Sequence, residues 1–175
     1  DSLVDEIDAG GLFAREQTAH KWKVTYRTIV LRELVSWRFC DLMKQAILLE
    51  KSHFFTGSRI LIRSSIETLS ILIYSIQKME NIVRVGKGFH EYCKKSENLL
   101  LGSRDNRTKY DSISVLAVLK SVAKKYPELL RAYDDLSETT HPNWDGMSYI
   151  YSEVYDKGML TKFTNQSGRI YKNSQ

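Results

Sequence analysis

The chain has 175 residues and carries 26 Lys and Arg against 21 Asp and Glu, a formal charge of +5. This length suits one folding unit with a genuine core, and the apolar content of 42% excludes a disordered protein. With only 9 Gly and 2 Pro, a sandwich or barrel of many short strands is disfavoured and long helices are favoured. The first ten residues contribute −4, so the remainder carries +9, which permits a polyanionic partner without requiring one.

Apolar residues that recur every three or four positions predict a first long helix from about residue 14 to residue 51. They form one stripe of eight residues: Val24, Thr28, Leu31, Val35, Phe39, Leu42, Ala46 and Leu49. A continuous helix of that length would measure roughly 55 Å, so we expect a bend or break near its start. A short connector follows at residues 54–58, in which Ser58 is the candidate cap of a second helix that runs to about Asn81.

The second predicted helix is apolar on more than one face and is therefore expected to be the most buried. Arg63 and Glu67 interrupt its apolar run and leave fewer than the roughly 18 uncharged residues that a membrane span needs. We therefore expect no membrane partner. Two isolated cysteines, Cys40 and Cys93, show no disulfide or metal spacing and favour a reducing cytoplasm.

Three shorter helices are predicted beyond the second. Gly86 and Gly88 mark a break before the third helix. Asp111 or Ser112 is the candidate cap of the fourth helix. Pro127 ends the fourth helix and suits the first turn of the fifth, where its missing N–H costs nothing.

The C-terminal part of the chain predicts a β-hairpin with strands at residues 148–154 and 159–163. The predicted fold class is all-α, an antiparallel helical bundle of about five helices with a small C-terminal β-hairpin. We expect a flexible acidic segment at residues 1–13, one domain at residues 14–165 and a flexible tail at residues 166–175.

Two groups of polar residues carry candidate chemistry. Arg63 and Glu67 share a helical face, with Arg59 one turn earlier, so two guanidinium groups can hold a phosphate while Glu67 orients one of them. His141 follows the fifth helix, and its imidazole suits proton transfer near neutral pH. The structural alternatives are an ion pair that fixes helix register and a histidine that caps a helix end.

A family resemblance is carried by two patches, RSSIE at residues 63–67 and LSETTHPNWDG at residues 136–146. They resemble bacterial HEPN-like domains, the higher-eukaryote and prokaryote nucleotide-binding helical bundles. The resemblance covers roughly residues 14–165. It implies an antiparallel helical bundle, a homodimer, and RNA or nucleotide binding in a bacterial defence or toxin–antitoxin system, with metal-independent ribonuclease activity in some members.

Within such a domain we expect Arg63, Glu67 and His141 to be catalytic and Arg59 and Asn143 to bind the ligand, with no cofactor. In such a site the arginine stabilises phosphate charge and the histidine moves a proton as the 2′-hydroxyl of RNA attacks. Active members place the two residues on one segment, with roughly four to six residues between them.

This sequence departs from that spacing, because nine residues separate Arg131 from His141. Two other pairs do satisfy the spacing: Arg15 with His20, and Arg84 with His90. Such short pairs arise by chance in a chain with many arginines. The sequence therefore leaves open whether the domain is an enzyme.

Two further interpretations stand beside the ribonuclease. A noncatalytic helical module that binds a protein partner would use Arg63, Glu67 and His141 only to stabilise its fold. A di-iron carboxylate bundle is suggested by two Glu-x-x-His motifs, Glu50 with His53 and Glu138 with His141. Both motifs fall at helix ends, whereas such a metal site requires positions in the middle of the bundle.

Overall fold

The structure, a computed structural model, describes residues 22–105, 107–155 and 158–168. The predicted acidic segment at residues 1–13, the pair of Arg15 with His20 and residues 169–175 of the predicted tail lie outside these ranges. The predicted fold class is confirmed, since the described chain is mostly helical and ends in a small antiparallel hairpin.

Two long helices come first, α1 Trp22–Lys51 and α2 Phe55–Val85. Three shorter helices follow, α3 Phe89–Leu101, α4 Val115–Val122 and α5 Pro127–Thr140. A π-helical turn at Trp144–Ser148 and a single α-helical turn, α6 Tyr149–Tyr151, lead into the strands β1 Ser152–Tyr155 and β2 Leu160–Phe163.

The chain divides into two compact units, and each unit contains part of both long helices. The first unit holds residues up to Phe39 together with Glu67–Lys125, and so includes α3 and α4. The second unit holds Cys40–Ile66 and the chain from Tyr126 onward, and so includes α5 and the hairpin.

The apolar stripe predicted on α1 is confirmed. Val24, Leu31 and Val35 are buried in the first unit, and Leu42 and Ala46 are buried in the second. The other three stripe positions are half-buried. A helical spacing of large apolar residues therefore located the packed face of α1 correctly.

Helix α2 differs from the predicted apolar core helix, because small hydroxyl residues occupy its most buried positions. Ser58, Ser65 and Ser75 are almost completely buried, whereas Ile60 and Ile76 are 42% and 41% exposed. Ser65 and Ser75 each donate a 2.9 Å hydrogen bond to the carbonyl oxygen four residues earlier. Their hydroxyls thus have hydrogen-bond partners within the helix. Because serine is small, neighbouring segments of the protein can pack close to the helix backbone at these positions.

Two predicted helix caps were wrong. Ser58 lies inside the first turn of α2, where its Oγ is buried and has no hydrogen-bond partner among the described residues. Ser114, not Asp111 or Ser112, caps α4, because its Oγ accepts a 3.3 Å bond from the N–H of Ala117. Helix α4 therefore begins two or three residues later than the sequence suggested.

Helix α2 runs four residues beyond the predicted end at Asn81, and α4 ends at Val122, before Pro127. Two other predicted boundaries are confirmed. Gly86 and Gly88 separate α2 from α3 with φ angles of 69° and 89°, which favour glycine. Pro127 occupies the first turn of α5, and His141 is the residue that ends it.

The hairpin is shorter than predicted. Residues 148–151 were expected in its first strand but are helical, and Tyr149 stacks on Trp144 with ring centres 5.1 Å apart. Antiparallel pairing runs from Ser152 opposite Phe163 to Tyr155 opposite Leu160.

By length and composition, α2 meets the requirements for a helix that crosses a membrane, and 33% of its most apolar window is buried. The core helix of a soluble protein meets the same requirements.

Candidate functional site

Arg59 is a buried arginine that joins α2 to α5 in the second unit. It is 5% exposed, and its Nε donates to Thr139 Oγ1 at 2.8 Å. Its Nη2 donates to Asp135 Oδ2 at 2.6 Å and to the Asp135 carbonyl oxygen at 3.1 Å. A buried guanidinium requires such partners, because leaving it without them costs several kcal/mol, about 3–5. Through these bonds Arg59 joins α2 to α5 in the second unit.

Arg63, one helical turn later, repeats the arrangement on the preceding turn of α5. Its Nε donates to Ser137 Oγ at 3.0 Å and its Nη2 to the Tyr133 hydroxyl at 2.6 Å. The guanidinium carbon lies 4.8 Å from the centre of the Tyr133 ring. Since the later arginine of α2 bonds the earlier residues of α5, the two segments run antiparallel.

His141 is exposed and ends α5. Its backbone N–H donates to the carbonyl oxygen of Ser137 at 3.0 Å. No hydrogen bond joins its imidazole to another residue within the described ranges. Arg63 and His141 are therefore bonded to the same residue, the guanidinium to the side chain of Ser137 and the histidine to its backbone.

Asn143 and Gly146 shape the chain directly after His141. Asn143 Oδ1 accepts a 2.9 Å bond from the Gly146 N–H, and its Nδ2 donates to Glu138 Oε2 at 2.8 Å. A Cβ on residue 146 would lie 2.0 Å from the His141 carbonyl oxygen, so only glycine fits. The patch at residues 136–146, which carries the family resemblance, forms a tight corner that fixes the backbone of His141. This corner explains why Asn143 and Gly146 follow His141 at these positions.

Glu67 is half-buried on α2, one helical turn after Arg63. It belongs to the first unit, whereas Arg59, Arg63, His141 and Asn143 belong to the second. The structure therefore brings together four of the five predicted site residues within one unit.

Sequence analysis missed the α5 partners of the two arginines. Tyr133 with Ser137, and Asp135 with Thr139, are two pairs of polar residues at the four-residue spacing that separates Arg59 from Arg63. That match of spacing was the available signal, since side chains four apart share a helical face.

Two further predictions concern the pair of Arg84 with His90 and the di-iron ligands. Arg84 and His90 lie on different helices, and Arg84 Nη2 contacts Asn81 Oδ1 at 3.3 Å. Within residues 22–105, 107–155 and 158–168, no three His, Cys, Asp or Glu side chains are placed to hold a metal ion. The di-iron interpretation therefore finds no ligand set in this part of the chain.

Comparison with protein-family models found no match, and comparison with curated proteins and with solved structures found none either.

Proposed function

We propose that the corner between α2 and α5 binds RNA or a nucleotide in a HEPN-like domain, with Arg63 holding a phosphate and His141 moving a proton. The observation that carries this proposal is the meeting of Arg63 and His141 at Ser137. A cation whose position is set by hydrogen bonds, and an exposed imidazole one helical turn beyond its partner Ser137, are the two groups that metal-free RNA cleavage requires.

In the proposed reaction His141 accepts the proton of the 2′-hydroxyl as its oxygen attacks the adjacent phosphorus, and the 5′-oxygen leaves with a proton from a general acid. The Arg63 guanidinium stabilises the charge that develops on the phosphate oxygens. A homodimer, as the resemblance implies, would supply the acid as the second copy's imidazole. The cellular setting that goes with this proposal is a bacterial defence or toxin–antitoxin system in the cytoplasm.

The test is cleavage of a fluorescent single-stranded RNA in the presence of a chelator. We expect His141→Ala to lower the rate by about 100-fold or more, the usual contribution of a general base, without changing the circular dichroism spectrum. His90→Ala is the matched control and should cleave at the wild-type rate. An inert wild-type protein, or a fully active His141→Ala variant, would overturn the proposal.

A noncatalytic interaction module is the second candidate, and two observations favour it. Both arginines already donate to α5, so an arriving phosphate would compete with Ser137 and Tyr133 for Arg63. The hairpin also exposes large apolar side chains, with Met159 at 86% and Phe163 at 80%. Such surface commonly marks a site of protein association.

Sedimentation over a range of concentrations tests the module. If the hairpin mediates association, the wild-type protein forms a larger species that Phe163→Ser lacks, while Phe54→Ser, changed at another exposed position, retains it. A wild-type monomer at every concentration, inert toward RNA, would exclude self-association through this surface.

A further inference from the structure

A cavity of about 260 Å³ opens in the first unit between the end of α3, the start of α4 and the loop that joins them. Its floor is apolar and includes Ile71, Leu99 and Val118. Its polar side chains are Asn98, Arg104 and Ser112. A concave site that combines apolar side chains with a few polar groups can hold a small molecule.

The three polar side chains of the cavity make no hydrogen bond or ion pair with any residue in the described ranges. The other cations of the loop are engaged differently: Arg107 Nε lies 2.6 Å from Asp105 Oδ2, and Lys109 Nζ lies 5.3 Å from the centre of the Tyr110 ring. Arg104 thus presents an unneutralised guanidinium at the cavity, beside two neutral groups that can donate hydrogen bonds.

The loop that presents Arg104 is held in place at its base. Ser103 N–H donates to the Tyr110 carbonyl oxygen at 3.1 Å, and Thr108 Oγ1 donates to the Leu101 carbonyl oxygen at 2.5 Å. A Cβ on Gly102 would lie 2.4 and 2.5 Å from two backbone carbonyl oxygens, so the two ends of the loop meet there in direct contact. A closed base of this kind lowers the entropy lost when a ligand binds.

We propose that this cavity binds a small phosphate ester of about mononucleotide size, with the phosphate on Arg104 and the organic part on the apolar floor. The guanidinium fork matches two phosphate oxygens, and the Asn98 amide and the Ser112 hydroxyl supply neutral donors for the remaining oxygen. The cavity volume lies just below the usual range for ligand sites, which favours a small ligand. The proposal does not rest on the RNA site, because all its residues belong to the first unit.

Calorimetric titration of the full chain with adenosine 5′-monophosphate, inorganic phosphate and adenosine tests the site. We expect the monophosphate to bind at least about tenfold more tightly than adenosine, since a charge-assisted pair contributes that much. Arg104→Gln should weaken its binding about tenfold or more. Arg107→Gln, which removes a cation of the same loop, should change it less than about twofold, and thermal unfolding checks that both variants are folded.

His141→Ala separates this site from the proposed RNA site, and it should bind the monophosphate as the wild type does. The proposal is overturned by equal losses in Arg104→Gln and Arg107→Gln, by adenosine binding as tightly as its monophosphate, or by no binding of the monophosphate at millimolar concentration. Loss of binding in His141→Ala, with Arg104→Gln unaffected, would assign the nucleotide to the α2–α5 corner instead.

Discussion

Gly146 lies against the carbonyl oxygen of His141, so closely that a Cβ at position 146 would fall 2.0 Å from that oxygen. Gly146→Ala must therefore push the corner after α5 apart. We expect it to lower the free energy of unfolding by about 1–3 kcal/mol, the usual cost of forcing an extra methyl into a packed site. Gly168→Ala is the control, since its Cβ would meet a Phe55 ring carbon at an ordinary 3.4 Å. Equal free energies of unfolding for the two variants, measured in urea, would contradict this account.

Arg59→Ala removes the buried clamp between α2 and α5. Its loss leaves Thr139 Oγ1 without a donor, but the Asp135 side chain is 65% exposed and can be rehydrated. We therefore expect Arg59→Ala to lower the free energy of unfolding by about 1–3 kcal/mol, less than the loss of one partner of a fully buried ion pair. Lys95→Ala breaks the exposed pair with Glu91 and should lower stability much less, because water screens that pair. Equal denaturation midpoints for the two variants would show that the Arg59 bonds do not stabilise the fold.

Gly102→Ala tests the closed base of the basic loop. The new Cβ would overlap the carbonyl oxygens of Asn98 and Asp111, both of which are backbone and cannot rotate away. We expect faster amide hydrogen exchange across the loop, beginning with Ser103, whose N–H bonds the Tyr110 carbonyl. Unchanged exchange in the loop would mean that its base is not held by this contact.

Cys93 should react slowly with alkylating reagents. Burial raises the pKa of its thiol, with Arg27 opposing the shift and Glu97 reinforcing it. The reactive species is the thiolate, so at pH 8 a raised pKa leaves less of it than a free cysteine has, and reactivity appears only at higher pH. Iodoacetamide labelling of a Cys40→Ser protein measures this rate against that of glutathione. A Cys93 rate equal to or above that of glutathione would contradict the prediction.

The packed face of α1 could be predicted because it follows the rule for an amphipathic helix, with large apolar residues at regular spacing. The packed face of α2 could not, because hydropathy ranks Ile60 above Ser65 although Ser65 is buried and Ile60 is not. A serine that bonds its own helix backbone loses little by burial, and its small volume is what the close contact requires. Neither property enters an average of hydrophobicity.

At the candidate site, the sequence indicated which residues matter but not which contacts they make. Arg59, Arg63 and the patch around His141 were identified from charge within an apolar helix and from family resemblance. That Ser137 joins Arg63 to His141 depends on the antiparallel placement of α5 along α2, which no local pattern encodes. The closed base of the loop between α3 and α4 could not be predicted either, because it depends on contacts between residues several positions apart.

The outward strand Leu160–Phe163 has consequences for handling the protein. All four of its residues are exposed, and within the described part of the chain it pairs with β1 alone, which leaves its outer backbone groups available to another extended chain. Lys162 is the charged residue of this strand, and its ammonium group opposes stacking of like strands. Neutralising it by acetylation or by Lys162→Val would turn a tolerated edge into a nucleus for fibrous aggregation in concentrated solution.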